Sequence, residues 1–137
     1  GRYAEARVAV KVDSPGPVTV YGDAIDLGRV LTNLVDNAVR HATSKVELAL
    51  RTTGTPAPAA VVTVTDDGPG IPEADRERVF NRFTRLDSAR SRDDGGAGLG
   101  LAIVRETIRA HDGDVRLEDA APGLRAVVRL PLDAPRD

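Results

Sequence analysis

Asn33, Asn37, Arg40 and His41 stand at i, i+4, i+7 and i+8 within the run LTNLVDNAVRHA, residues 31–42. If that run is helical they share one stripe, because side chains four apart on a helix are neighbours. Two carboxamides, a guanidinium and an imidazole in a row can ligate a cation, hold phosphate and stack on a base; an ordinary solvated helix face fits the same residues equally well. A second group is Asp66-Asp67-Gly68-Pro69-Gly70-Ile71-Pro72, a carboxylate delivered into a glycine turn. By itself that is more simply a β-turn, for which Asp-Gly and Pro-Gly are favoured. A third is Gly95-Gly96-Ala97-Gly98-Leu99-Gly100-Leu101, which leads into an apolar-periodic stretch. Amides freed of side chains at a helix start make an anion site, favoured further by the helix dipole.

The glycine run is not a dinucleotide fingerprint. Gly96, Gly98 and Gly100 give G-x-G-x-G rather than G-x-G-x-x-G, and a polar run precedes them instead of a strand. A Walker loop is excluded because no Gly-Lys-Ser/Thr follows. Residues 81–97 lack any periodicity and hold four arginines, Arg82, Arg85, Arg90 and Arg92. A segment this long without structure is uncommon in a small domain unless it is a functional lid or a linker. A solvated loop and a phosphate-gripping lid both fit it. Phe80 and Phe83, the chain's two phenylalanines, stand at its entrance, placed to pin that end into the core.

The elements that must position these groups follow from patterning. In residues 24–42, Leu27, Leu31, Leu34, Val35, Ala38 and Ala42 recur at helical spacing as an apolar face, with Asp23 as N-cap and Asp26 in the first turn. Residues 7–12, 18–21, 46–50 and 60–65 read as strands, the last apolar and β-branched. Pro72 and Glu73 open a short helix through Val79 and Phe80. The helix after the glycine run buries Leu101, Val104 and Ile108 and stops at His111-Asp112-Gly113, Gly113 being its left-handed cap. Residues 115–118 and 124–130 alternate around Ala121-Pro122-Gly123 as a closing hairpin.

Composition bounds the function. With 137 residues, 41% of them hydrophobic, the chain is expected to be one globular domain over 1–137. A formal net charge of -2 leaves no positive excess to hold nucleic acid, so a phosphate ligand would need a local site. No cysteine and only two histidines leave no thiol chemistry, no disulfide and no His/Cys metal site within the sequence. No run approaches a membrane span of about 20 apolar residues. The start without methionine, straight into a strand-like segment, suggests a fragment of a longer protein.

In order, LTNLVDNAVRHA, VTDDGPGIP, VFNRFTRLDSARS and GGAGLGLAIV resemble the N, G1, F and G2 boxes of the ATP-binding catalytic domain of bacterial sensor histidine kinases, members of the GHKL ATPase superfamily. The likeness runs over residues 18–130, and four boxes in this order make it specific. It implies a two-layer α/β (α+β) sandwich: a mixed, mostly antiparallel sheet of about five strands on three helices, with a mobile ATP lid. It implies a protein-histidine kinase that binds Mg-ATP and passes the γ-phosphoryl group to a histidine on the parent's dimerisation domain, from which a response regulator receives it. The parent would be membrane-anchored with this part in the cytoplasm. The domain itself would be monomeric when isolated and would touch neither membrane nor nucleic acid.

The resemblance also carries roles. Asn37 matches the magnesium ligand and Asp66 the carboxylate that accepts a hydrogen bond from the adenine amino group. Gly68 and Gly70 would let the backbone approach the base, with Ile71 beside them and His41 as a wall. Arg40 stands where a basic residue reaches the phosphates, and Arg85 and Arg90 match lid arginines near the transferred phosphate. Amides around Gly98, Leu99 and Gly100, flanked by Gly96 and Leu101, would hold the triphosphate, and Phe83 would complete the pocket from the lid. Asn33 replaces the glutamate that activates water in hydrolytic relatives, and an amide cannot take a proton, so hydrolysis should be weak. There are two departures. Ala97 stands where the family often has Thr or Ser, and nothing here looks like the phosphoacceptor helix, since His41 falls in the pocket and His111 at a helix end. Rival readings are a serine kinase or hydrolytic ATPase of the same superfamily, or a binding module that keeps only the fold.

Overall fold

The computed structural model describes residues 8–80 and 97–132. Its first helix, α1 (Ala24–His41), starts where the sequence places it: Asp23 is extended, and its carboxylate accepts the Asp26 amide at 2.9 Å. That bond satisfies one of the donors every helix start leaves over. Val30, Leu34, Val35 and Ala38 are the buried side chains of α1. Leu31, expected on that face, is 39% exposed. The buried stripe is centred one position earlier, through Val30 and Leu34, and Leu31 instead lines an apolar cavity with Val18, Val20 and Leu27.

Five strands form one sheet: β1 (Ala9–Asp13), β2 (Lys45–Thr53), β3 (Ala59–Asp66), β4 (Asp114–Asp119) and β5 (Leu124–Pro131), in the order β1-β2-β3-β5-β4. β1 and β2 pair in parallel and every other pair is antiparallel. Alternation assigns the two faces. Val46, Val64, Val115 and Val128 point into the core, while Glu47, Arg51, Thr63, Arg116 and Arg125 border the uncovered side. The covering layer is α1, the short α2 (Glu73–Arg76) and α3 (Ala97–Ala110). Val104 and Ile108 of α3 are fully buried, and burial of such side chains contributes roughly 1.5–3 kcal/mol each. This is the expected mixed, mostly antiparallel sheet packed on three helices.

Three local expectations are corrected. Residues 18–21 join no sheet. Their alternation is real, since Val18 and Val20 turn inward to the cavity beneath α1, but the period-2 signal here reports burial of every second side chain without a ladder. Residues 72–80 are not one helix: α2 ends at Arg76, and a single 3₁₀ turn (Arg78–Phe80) follows, closed by the Phe80 amide on the Glu77 carbonyl at 3.2 Å. That tightening carries Phe80 into the core. After α3 the left-handed residue is Asp112 (φ 65), not Gly113, whose amide reaches back to the Ile108 carbonyl at 2.9 Å.

Candidate functional site

Strand parity places Asp66, two residues beyond the core Val64, on the helix-covered face at the end of β3. It is the buried charged residue of the described chain, 4% exposed. Its Oδ1 accepts the amides of Gly68 at 2.8 Å and Leu124 at 3.4 Å. No hydrogen bond to Oδ2 is made among the described residues, and the side chain lines a cavity of about 100 Å³ together with His41, Pro69, Gly70, Ile71 and Leu124. An ionised carboxylate only accepts hydrogen bonds. An oxygen with no partner among the described residues, in an apolar-walled cavity, is therefore a place for an N–H donor of a ligand.

The glycines of the turn answer to the protein's own backbone. A Cβ on Gly68 would collide with the carbonyl oxygen of His41, and Gly70 is left-handed (φ 77) against the carbonyl of Gly123. The end of α1, the turn after β3 and the β4–β5 turn thus meet at one point. Asp67 holds the same junction. Its Oδ1 accepts the amides of Thr43, Ser44 and Lys45 at 2.9, 2.9 and 3.1 Å, and its Oδ2 accepts the Ser44 hydroxyl at 2.7 Å. These bonds, led by the Ser44 amide, hold the Asp67 carboxyl well below the usual carboxylate range. Sequence reading gave Asp67 no role; the doubled Asp at the strand end was the available signal, but its partners lie more than 20 residues away.

The stripe of α1 joins this cavity to the start of α3. His41 lines the cavity, Asn37 and Asn33 are half-buried, and Arg40 is exposed in the last turn. At the far end of the stripe, Asn33 Cγ lies 3.9 Å from the position a Cβ on Gly100 would take. Gly98 and Leu99 lie in the first turn of α3, where amides have no intrahelical acceptor and the dipole is positive. The Leu101 side chain belongs to the core, which leaves only its main chain to a ligand. Arg85, Arg90, Phe83 and Gly96 lie outside the described residues.

Two further contacts frame the site. Arg105 of α3 makes a two-pronged ion pair with Glu77 (2.9 and 2.9 Å) and lies over the Phe80 ring, 4.2 Å from its centroid. The Arg105 bond holds the Glu77 carboxyl below its ordinary value. His111 accepts the Asp23 amide on Nε2 at 3.0 Å, so its proton sits on Nδ1 and is donated to the Thr107 carbonyl at 2.8 Å. It therefore ties the end of α3 to the cap of α1. Among the described residues no three His, Cys, Asp or Glu side chains gather to hold a metal, and no helix is long and apolar enough to cross a membrane.

Comparison with known proteins agrees with this layout. The family model for Histidine kinase-, DNA gyrase B-, and HSP90-like ATPases matches residues 22–134. The sensor histidine kinase CpxA of Escherichia coli K12 is 44% identical over 119 residues, 86% of this chain and 25% of CpxA. The signal transduction histidine-protein kinase/phosphatase MprB of Mycobacterium sp. strain KMS is 46% identical over 104 residues, 76% of this chain and 20% of MprB. The chain thus spans a quarter or less of the length of these curated relatives. Among solved structures, full-length ShkA in complex with AMPPNP superposes with a TM-score of 0.79 at 27% identity, over 99% of this chain and 28% of that one. A mycobacterial MprB structure gives 0.74 at 33% identity, over 95% and 87%. This chain belongs to the histidine kinase-, DNA gyrase B- and HSP90-like ATPase family, and the relatives it matches there are sensor histidine kinases.

Proposed function

We propose that residues 1–137 are the single ATP-binding catalytic domain of a longer sensor histidine kinase, and that the domain binds Mg-ATP and presents its γ-phosphoryl group to a histidine on the parent's dimerisation domain. An aspartate on a response regulator would be the next acceptor. The observation that carries the reading is the buried Asp66, with one oxygen held by backbone amides and the other without a partner among the described residues, beside a cavity walled by His41, Gly70 and Ile71. Adenine fits this chemistry: its amino group donates to Asp66, and its faces pack on His41 and Ile71.

The stripe then orders the rest of the nucleotide. Asn37 offers one amide oxygen toward Mg²⁺. That contribution is in keeping with an ion that keeps several waters and takes substrate phosphates, and a larger protein cage is not built among the described residues. When bound, Mg²⁺ neutralises phosphate charge. Arg40 reaches toward the phosphates, the first-turn amides of α3 from Gly98 to Gly100 hold them, and Arg85 and Arg90 draw charge off the transferred group. Phe83, Gly96 and the Leu101 main chain complete the enclosure. Positioning and charge stabilisation do the work. Asn33 cannot take a proton from water, so water is not activated and the phosphoryl group is kept for the protein acceptor. The full-length parent would be membrane-anchored with this domain in the cytoplasm.

Titration of a fluorescent ATP analogue with and without Mg²⁺ tests the reading. Saturable binding displaced by ATP and strengthened by Mg²⁺ is expected, followed by acid-labile labelling when [γ-³²P]ATP and the parent's dimerisation domain are added. No binding at concentrations up to about 1 mM, where the free energy available is only about 4 kcal/mol, would sink it.

A further inference from the structure

Asp67 sits next to the cavity without lining it, and it uses four hydrogen bonds on one short turn. The register explains why it can. Asp66 pairs with Val46 across β2 and β3, so the carboxylate one residue on comes level with residues 43–45, which link the end of α1 to β2. Thr43, Ser44 and Lys45 give it all three of their amides, and Ser44 adds its hydroxyl. The residue that these bonds pull into place is His41, the last of α1. Its carbonyl lies hard against Gly68 and its side chain lines the same cavity as the buried Asp66.

We propose that Asp67 is a positioning residue for the base pocket: by clamping the turn after α1 it fixes the distance between His41 and Asp66, and so the fit of a purine, without touching the ligand. The inference rests on the reading that this pocket takes adenine. Preorganisation of this kind acts on affinity by removing the cost of ordering the wall when the ligand arrives. The clamp is charged at any physiological pH, because its own hydrogen bonds keep the carboxyl ionised far into the acid range. Removing a carboxylate that only stabilised the fold would lower the melting temperature and leave the folded protein's affinity alone.

The test uses the whole chain, well below its melting temperature, and two probes: Mg-ATP, which needs the base pocket, and inorganic triphosphate with Mg²⁺, which does not. Asp67→Ala should weaken ATP on the order of 10-fold and leave triphosphate unchanged. Asp67→Asn, whose amide oxygen can still accept the three backbone amides, should return ATP affinity to within about 3-fold of the parent. Should Asp67→Ala not fold, Asp67→Ser takes its place with the same readings. A folded Asp67→Ala that binds ATP like the unmodified chain, or that loses ATP and triphosphate equally, overturns the inference. If the unmodified chain binds no ATP, or Asp66→Asn binds it equally well, the adenine reading itself fails and this inference falls with it.

Discussion

Replacing Asp66 by Asn isolates the feature on which the nucleotide reading stands. The side chain is 4% exposed, and its Oδ1 is engaged by the amides of Gly68 and Leu124. An asparagine can keep both of those bonds through its own oxygen. What changes is the atom facing the cavity, from a charged acceptor to an NH₂ donor, which meets the adenine amino group donor to donor. The charge-assisted bond that disappears is worth about 1.5–3 kcal/mol, so ATP should bind about 10- to 100-fold more weakly. Burying a neutral amide costs less than burying a carboxylate, so the unliganded variant should melt at or above the temperature of the parent. The two effects have opposite signs, and that separates lost recognition from lost folding. Guanine carries a carbonyl where adenine carries its amino group, so the preference for ATP over GTP should shrink in the variant. Calorimetric titration with both nucleotides, alongside thermal melts, provides the measurement. Equal ATP affinity in the two proteins would refute the assignment of Asp66, and a large fall in melting temperature would show that its role is structural.

Other perturbations read other parts of the site. The unmodified chain should release phosphate from ATP slowly, and Asn33→Glu, beside Gly100 at the start of α3, should raise that rate by placing a base at the expected position; fast turnover by the unmodified chain would contradict the role given to Asn33. The folded Asp67 carboxyl is held below the ordinary value of 3.8, so its stabilisation is present above about pH 4 and fades as pH falls below it. Urea melts between pH 2.5 and 7 should show that acid loss, and Asp67→Asn should flatten it. Arg105→Met removes the pair with Glu77 and the contact with Phe80. Glu77 is largely exposed, so the expected loss is about 1–2 kcal/mol, part of it screened by salt, readable as a fall in urea midpoint relative to the unmodified chain that is larger at low ionic strength than at high.

The legible parts of this chain are those whose signal is local. α1, β3 with its glycine turn, and α3 each declare themselves by period and punctuation, and Asp23 caps α1 as its side-chain type predicts. Residues 18–21 were misread for a physical reason: alternating burial looks the same whether or not a neighbouring strand supplies hydrogen bonds. Leu31 is exposed while Val30, which the spacing does not single out, is buried, because spacing alone leaves the edge of a helix face uncertain by one residue. Contacts made across the fold were not readable at all. No local rule brings Asp67 to residues 43–45, Arg105 to Glu77, or Asn33 to Gly100, since each depends on which elements become neighbours.

What the fold adds to the sequence motifs is an order along one axis. From His41 back to Asn33 is eight residues of helix, a rise of about 12 Å at 1.5 Å per residue. One end of that line shares a cavity with Asp66, and the other meets Gly100 at the start of α3. In the proposed reading, base recognition and phosphate handling are therefore done by the C-terminal end and the middle of a single rigid element, with Asn37 between them. The doubled aspartate follows the same economy at the base end: Asp66 turns toward the cavity, and Asp67 binds the turn that sets where His41 stands. The helix itself is held at its start by the Asp23 cap and His111 and just past its end by Asp67. In that reading a free base or a free phosphate would meet only one of the two points, so α1 would discriminate by length as well as by chemistry.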